Sequence, residues 1–276
     1  MRIVRAAADL RAATLPWRKS GLAHAFVPTM GALHAGHMAL VRSARAQCDR
    51  VVASVFVNPK QFGPNEDFDR YPRTEDHDAA LLAEAGCDLM FAPAVNDIYP
   101  PGFATEVRVG GLGSLWEGAH RPGHFDGVAT VVARLLGLAQ AEAALFGEKD
   151  WQQLVIIRRM AADLALSTAI LAVPTVREPD GLALSSRNRY LSAAERETAP
   201  MLYAELVRTA EAIKQGSTGR AACADAVAAL TAAGFRVDYV ALTHPETLAL
   251  IKHAPGRLLA AAGLGSTRLI DNLDVG

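Results

Sequence analysis

The sequence predicts an α/β protein: a doubly wound parallel sheet followed by a second, smaller α+β domain. Three observations lead there. Up to about residue 175, short apolar runs alternate with segments of helical periodicity, the pattern of parallel strands joined by crossover helices. Polar residues gather in four loops, 28–37, 58–73, 147–153 and 177–189, each directly after a strand-like run. Ligands of open α/β sheets bind beyond the carboxyl ends of the strands, so four such loops on one rim weigh more than any one alone. Around Pro174 to Pro179 the pattern changes to two long helical segments followed by three strands, which fits helices beside a small antiparallel sheet. The expectation is a Rossmann-like domain over 1–175 and a small α+β domain over 176–276.

Residues 1–20 read as a first strand and helix. Arg2, Arg5, Arg11, Arg18 and Lys19 loosely resemble a transit peptide, but Ile3-Val4 and the apolar run from Leu22 feed directly into the next motif, so the segment is expected to belong to the fold. That motif is Phe26-Val27-Pro28-Thr29-Met30-Gly31-Ala32-Leu33-His34-Ala35-Gly36-His37. An apolar run, a glycine-bearing turn and a helix start form the arrangement in which backbone N–H groups point at an anion. Met38, Val41, Ala44 and Arg45 recur at helical spacing, giving a helix over 37–47. The β-branched run 51–57 fits a strand covered on both faces. A helix over 76–85 stops at Gly86, and a strand follows over 89–91. Then come a helix over 127–139, a strand over 144–146, a helix capped by Asp150 and a strand over 168–173. In the second domain, helices over 193–215 and 218–233 precede strands over 236–242, 258–262 and 267–270.

Of the 276 residues 51% are hydrophobic and 21% charged, enough to bury a substantial core. A net charge of -1 lacks the basic excess of a chain that wraps nucleic acid, so no nucleic-acid partner is expected, while small anionic substrates, which need only a local cluster of donors, stay open. Cys48, Cys87 and Cys223 are far apart and outside any CxxC pair, which fits free thiols in a reducing cytosol. No apolar run has the length of a membrane span; the expected location is cytoplasmic. A GxSxG elbow, a GxxxxGK[ST] loop and a reactive-cysteine context are all absent, leaving no evident nucleophile for a covalent intermediate.

The remaining inventory suits electrostatic stabilisation of a phosphorus-centred transition state. His34 and His37, three apart, fall on one side of a first helical turn. Gly36 between them would let a flat ring lie against the backbone. A zinc pair and two ordinary surface histidines are the alternatives, although no third ligand stands at metal-like spacing. In the second loop, Gln61 offers a donor and an acceptor without charge, within a wall of aromatics and prolines. In the third, Lys149 can reach a phosphate as a point charge. There Asp150 reads as a cap and Trp151 as core, and Gln153 could face a cleft one turn into the helix. In the fourth, Ser185, Ser186 and Arg187 suit a polyphosphate, or else form a solvated interdomain loop.

PTMGALHAGH, FVNPKQFGPNEDFDRYPRT, RPGHFDGVATVV, FGEKDWQQLVIIRRM and LSSRNRYLS, in this order and at these spacings, resemble the pantoate–β-alanine ligase family of the HxGH nucleotidyltransferase superfamily. The resemblance covers the chain from Pro28 to Ser192. It implies ATP-dependent condensation of (R)-pantoate with β-alanine, through pantoyl-adenylate, to pantothenate, AMP and pyrophosphate. It places Met30, Gly31, Ala32, Leu33, His34, Ala35, Gly36 and His37 at ATP, with Gly147, Glu148, Lys149, Asp150, Val176, Leu184, Ser185, Ser186 and Arg187. His34, His37, Lys149 and Arg187 would be the catalytic set, Gln61 and Gln153 would bind pantoate, and Gln61 also lies near β-alanine. The family is credited with proton donation from the residue matching His37. Charge stabilisation suits it better physically, because pyrophosphate can leave without a proton. Mg2+ is expected with ATP and held mainly by it. Some family members associate acidic residues after YPRT with the metal, whereas here the segment reads Asp76-His77-Asp78, and no protein metal ligand is assigned. The family also implies a homodimer. The competing readings are a nucleotidyltransferase of the same superfamily that transfers AMP to a phosphorylated acceptor, and a catalytically inactive nucleotide-binding or metal-sensing module.

Overall fold

The computed structural model describes residues 1–64 and 68–276, and divides into two compact units. The first comprises Met1–Glu148 and Gln153–Pro174, the second Lys149–Gln152 and Thr175–Gly276.

The first unit holds strands β1 (Arg2–Val4), β2 (His24–Thr29), β3 (Arg50–Val55), β4 (Leu89–Phe91), β5 (Ala143–Gly147) and β6 (Ala169–Val173). Its helices are α1 (Ala7–Lys19), α2 (Ala35–Gln47), α3 (Glu75–Glu84), α4 (Val95–Ile98), α5 (Trp116–His120) and α6 (His124–Ala139), with α7 (Trp151–Asp163) leading into β6. All six strands are parallel, in the order β1-β4-β3-β2-β5-β6. From β2 the chain steps outward through β3 and β4, then returns to the other side of β2 as β5 and β6. The order therefore reverses between β2 and β5, and the crevice beyond their carboxyl ends is where such a sheet takes its ligand. The loops that open there begin at Met30 and Glu148.

Ala25, Phe26 and Val27 are completely buried, as expected for a central strand covered on both faces. Ala25, Val27, Val51, Ala53 and Met90 pack with Val41 and Ala44 of α2 and Leu82 of α3. Alternation along the strands sends Phe26, Val52 and Leu89 to the opposite face, and α6 also packs on β2. Full burial of each such large side chain contributes about 1.5–3 kcal/mol, so the strand that launches the glycine turn is anchored on both faces by the core. Burial pushes the Cys87 thiol up to about 11, which leaves it an inert core group. Cys48, Cys87 and Cys223 are all free.

The second unit contains α8 (Ala193–Thr198), α9 (Met201–Lys214), α10 (Gly219–Ala232) and an antiparallel sheet of β7 (Arg236–Thr243), β8 (Gly256–Leu264) and β9 (Thr267–Val275). Leu202, Leu206 and Ile213 of α9 and Ala222 and Leu230 of α10 bury against Leu258, Ala260 and Ala262. The single helix expected over 193–215 is two helices, broken at Ala199-Pro200, because proline has no N–H to continue the ladder. The last strand runs five residues past its expected end at 270. Asp271 and Asn272 interrupt its apolar pattern, yet both are buried, and Asp271 pairs with Arg177 at 2.6 Å. Among the described residues, no helix is long and apolar enough to cross a membrane.

Candidate active site

The loop after β2 is a strained turn held in place by buried partners. Gly31 and Ala32 both have positive φ, 82° and 52°, a region natural to glycine and costly for alanine. The compensation comes from Asp78 in α3, which is fully buried. Its Oδ2 accepts from the Ala32 N–H at 3.0 Å and its Oδ1 from the Leu33 N–H at 2.8 Å. The Thr74 hydroxyl donates to the same Oδ1 at 3.2 Å. The Gly31 N–H donates to Thr29 Oγ1, whose own hydroxyl donates to the Ser54 carbonyl at 2.7 Å. A Cβ on Gly31 would stand 2.9 Å from Asp78 Oδ2, so only glycine fits this close approach.

The helix start that follows is closed by the two histidines. His34 is the N-cap of α2, with Ala35 its first residue, two positions earlier than the spacing predicts. His34 Nδ1 accepts from the Gly36 N–H at 3.2 Å, and His37 Nδ1 accepts from the His34 N–H at 3.3 Å. A neutral imidazole that accepts at Nδ1 carries its proton on Nε2. Assigned from this network, both rings offer an Nε2–H donor at a helix N-terminus, where partial positive charge already gathers. Their centroids lie 4.1 Å apart.

Gln61 ends a 3-10 turn, Pro59–Gln61, capped by Asn58. Its Oε1 accepts from Asn58 Nδ2 at 3.1 Å, and its Nε2 lies 2.7 Å from Met30 Sδ. The structure thus brings Gln61 to the first residue of the glycine turn. Its backbone is held as firmly: the carbonyl meets His124 Nδ1 at 2.8 Å and accepts from Arg121 at 3.3 Å. Asn58 in turn donates to the Gly127 carbonyl and accepts from the Tyr99 hydroxyl at 2.8 Å. Burial pushes the Tyr99 phenol up to about 12, against the pull of Arg134, so it remains a proton donor. A Cβ at Gly127 would collide with the Lys60 carbonyl; α6 must offer a bare backbone there. Of the predicted wall over 58–73, Asn65, Glu66 and Asp67 lie outside the described residues.

Gly147 ends β5 beside Val173, Glu148 opens the 3-10 turn Glu148–Asp150, and Gln153 is half-buried in the first turn of α7. The other predicted phosphate residues belong to the second unit. Lys149 Nζ stands 3.7 Å from Asp150 Oδ1. The Leu184 N–H donates to the Val176 carbonyl at 3.0 Å, which pairs those two residues across a short hairpin. Ser185 caps the 3-10 turn Ser186–Tyr190, its Oγ accepting from the Arg187 N–H at 3.2 Å. Lys149, Ser185, Ser186 and Arg187 are all half-buried. Trp151 departs from its expected place in the core: it is half-buried, and the Arg257 guanidinium stacks 3.6 Å from its ring centroid.

Sequence reasoning overlooked Asp78 as a loop anchor, together with Asn58, Tyr99, Arg121 and His124 around Gln61. Arg121 and His124 stand in the RPGHF motif, which is the one signal that could have singled them out. Asp78 belongs to the segment Asp76-His77-Asp78, for which the sequence assigns no metal ligand. Its two oxygens are taken by backbone N–H groups and a hydroxyl, which does not suit a ligand for Mg2+. Among the described residues, no group of three or more His, Cys, Asp or Glu could hold a metal ion.

The sequence profile of the family described as pantoate-beta-alanine ligase matches residues 2–274. A pantothenate synthetase of Acidiphilium cryptum is 56% identical over 100% of both chains. The crystal structure of pantothenate synthetase from Thermus thermophilus superimposes with a TM-score of 0.94 at 54% identity, covering 100% of this chain and 99% of that one. A pantoate-beta-alanine ligase from Francisella tularensis, complexed with beta-gamma ATP and beta-alanine, matches with a TM-score of 0.85 at 33% identity, over 100% and 98% of the two chains.

Proposed function

The chain belongs to the pantoate–β-alanine ligase family, and from that premise we propose which of its residues carry the ATP-dependent ligation of pantoate and β-alanine. ATP lies along Met30–His37, with its phosphates toward the Nε2–H groups of His34 and His37. Gly147–Asp150, Val176 and Leu184–Arg187 complete the nucleotide site, with Lys149, Ser185, Ser186 and Arg187 toward phosphate. Gln61 and Gln153 hold pantoate, and Gln61 also adjoins β-alanine. The observation that supports this most is the contact of Gln61 with Met30, 2.7 Å from amide nitrogen to sulfur, which sets an amide for the acid beside the turn for the nucleotide.

In the first step a pantoate carboxylate oxygen bonds to the α-phosphorus while the bond to pyrophosphate breaks. Negative charge grows on the leaving pyrophosphate, and donors already aimed there stabilise it without reorganising. His37 acts in this way as a charge stabiliser and need not transfer a proton. Neutral amides orient pantoate's carboxylate and leave its electrons available, whereas an arginine clamp would stabilise the ground state more than the transition state. In the second step the β-alanine amine bonds to the acyl carbon, the bond to the phosphate oxygen breaks, and AMP leaves as the nitrogen loses its proton. Mg2+ bound with ATP would be held by the nucleotide and water and would offset charge on the leaving pyrophosphate; no step is assigned to a protein-bound metal.

The working division is a nucleotide- and pantoate-binding domain over 1–175 and a lid over 176–276. The enzyme is further proposed to be a cytoplasmic homodimer. AMP transfer to a phosphorylated acceptor is not favoured, and product analysis tests the choice. With ATP, pantoate and β-alanine, free AMP and pantothenate should form one for one. An adenylylated end product with no free AMP would overturn the ligase assignment.

A further inference from the structure

The second unit contains a chain of contacts for which the ligation chemistry above has no use. In its sheet Asn272 faces Leu259, and Arg257 lies two residues from Leu259 on the same strand. Side chains alternate along a strand, so Arg257 and Asn272 share one face and sit diagonally. Asn272 is 3% exposed and Arg257 7%. Asn272 Oδ1 accepts from Arg257 Nε at 2.8 Å, while its Nδ2 donates to the Lys149 carbonyl at 2.9 Å. The Arg257 guanidinium stacks on Trp151 at 3.6 Å, and the Trp151 indole N–H donates to the Pro245 carbonyl at 2.9 Å.

Both ends of a buried amide are thus satisfied, one by a cation and one by the backbone of the lysine proposed to meet phosphate. Arg257 fixes which way the amide faces, because a guanidinium can only donate. The orientation that gives Oδ1 to Arg257 is the one that gives Nδ2 to Lys149. Both attachments, at Lys149 and Trp151, lie within the second unit, which includes Lys149–Gln152. From this geometry we infer that Asn272 and Arg257 are positioning residues for Lys149, the C-terminal sheet holding its backbone carbonyl and with it the point from which its ammonium reaches. A lysine ammonium rides on a flexible stem, and fixing its backbone sets the point from which that stem reaches. The inference rests on the assignment of Lys149 to the phosphates.

The test is N272D, which keeps the acceptor for Arg257 and removes the donor to Lys149. Pantoate-dependent pyrophosphate–ATP exchange should fall by about tenfold to a hundredfold in kcat, with KM for pantoate unchanged. Attack of β-alanine on preformed pantoyl-adenylate should remain within about twofold of the parent, since pyrophosphate has already left. General loosening of the fold would lower both half-reactions alike, and that result would overturn the inference. In a Lys149→Ala background N272D should add no further loss; an additive loss would also overturn it. If Lys149→Ala alone keeps near-normal exchange, the assignment of Lys149 fails and the inference with it. A large loss in Lys149→Ala with none in N272D refutes the tether alone. Should N272D not fold, Arg257→Met, which keeps much of the side-chain volume and removes every donor to Asn272 Oδ1, is expected to give the same split, and an equal loss in both half-reactions would again count against the tether.

Discussion

Replacing His37 by alanine should lower pantoate-dependent adenylation by about a hundredfold or more. The magnitude follows from where the ring stands. Its Nδ1 is occupied by the His34 N–H at 3.3 Å, so the proton sits on Nε2, at the start of a helix whose first N–H groups also face outward. In the role proposed for it, removing the ring takes away a donor that strengthens as charge builds on the leaving group. The alanine variant also strips the acceptor from the His34 N–H, a second effect within the turn itself. Two further substitutions separate those effects. His37→Asn keeps an acceptor near the Nδ1 position without a donor at Nε2, and should fold normally while losing adenylation. His37→Gln can place an amide N–H near the Nε2 position, and should recover part of the rate. Near-parental exchange in His37→Asn would return the residue to a purely structural role.

Asp78→Ala should be the most damaging substitution outside the residues proposed to touch substrate. It leaves two buried backbone N–H groups, those of Ala32 and Leu33, without their acceptor, at about 1–3 kcal/mol each. It also removes what holds Ala32 at a φ of 52°, a conformation unfavourable for alanine by about 1–2 kcal/mol. The expected result is a lowered unfolding temperature together with a raised KM for ATP, while the Mg2+ concentration for half-maximal activity stays unchanged. A shift in the Mg2+ requirement with an undisturbed KM for ATP would identify Asp78 as a metal ligand instead. Ala32→Gly in the Asp78→Ala background should recover part of the loss, because glycine adopts the turn without strain.

Much of the first unit was legible in the sequence because its strands are continuous apolar runs and its loops are punctuated by Gly31, Pro59 and Gly86. The C-terminal sheet was legible only in part. Strand β9 was cut short at its polar residues, although these are buried through partners far away in sequence: Arg177 for Asp271, and Arg257 and Lys149 for Asn272. Periodicity carries no information about such partners. The same limit explains Asp78, which looks like an ordinary acidic residue of a helix's first turn until the glycine turn folds over it. Trp151 was misplaced in the core because an aromatic at a helix start normally packs inward, and the guanidinium that holds it lies 106 residues further along the sequence. The histidine pair was readable from spacing alone, but the tautomer that makes both rings donors required the backbone around them.

The most direct test of the adenylate route is pyrophosphate–ATP exchange with and without pantoate, in the absence of β-alanine. An enzyme that activates its acid as an adenylate must return labelled pyrophosphate to ATP only when pantoate is present. Exchange that depends on pantoate and needs no β-alanine is the predicted result. Exchange without pantoate, or none until β-alanine is added, would contradict that route and the roles proposed for His37 and Gln61.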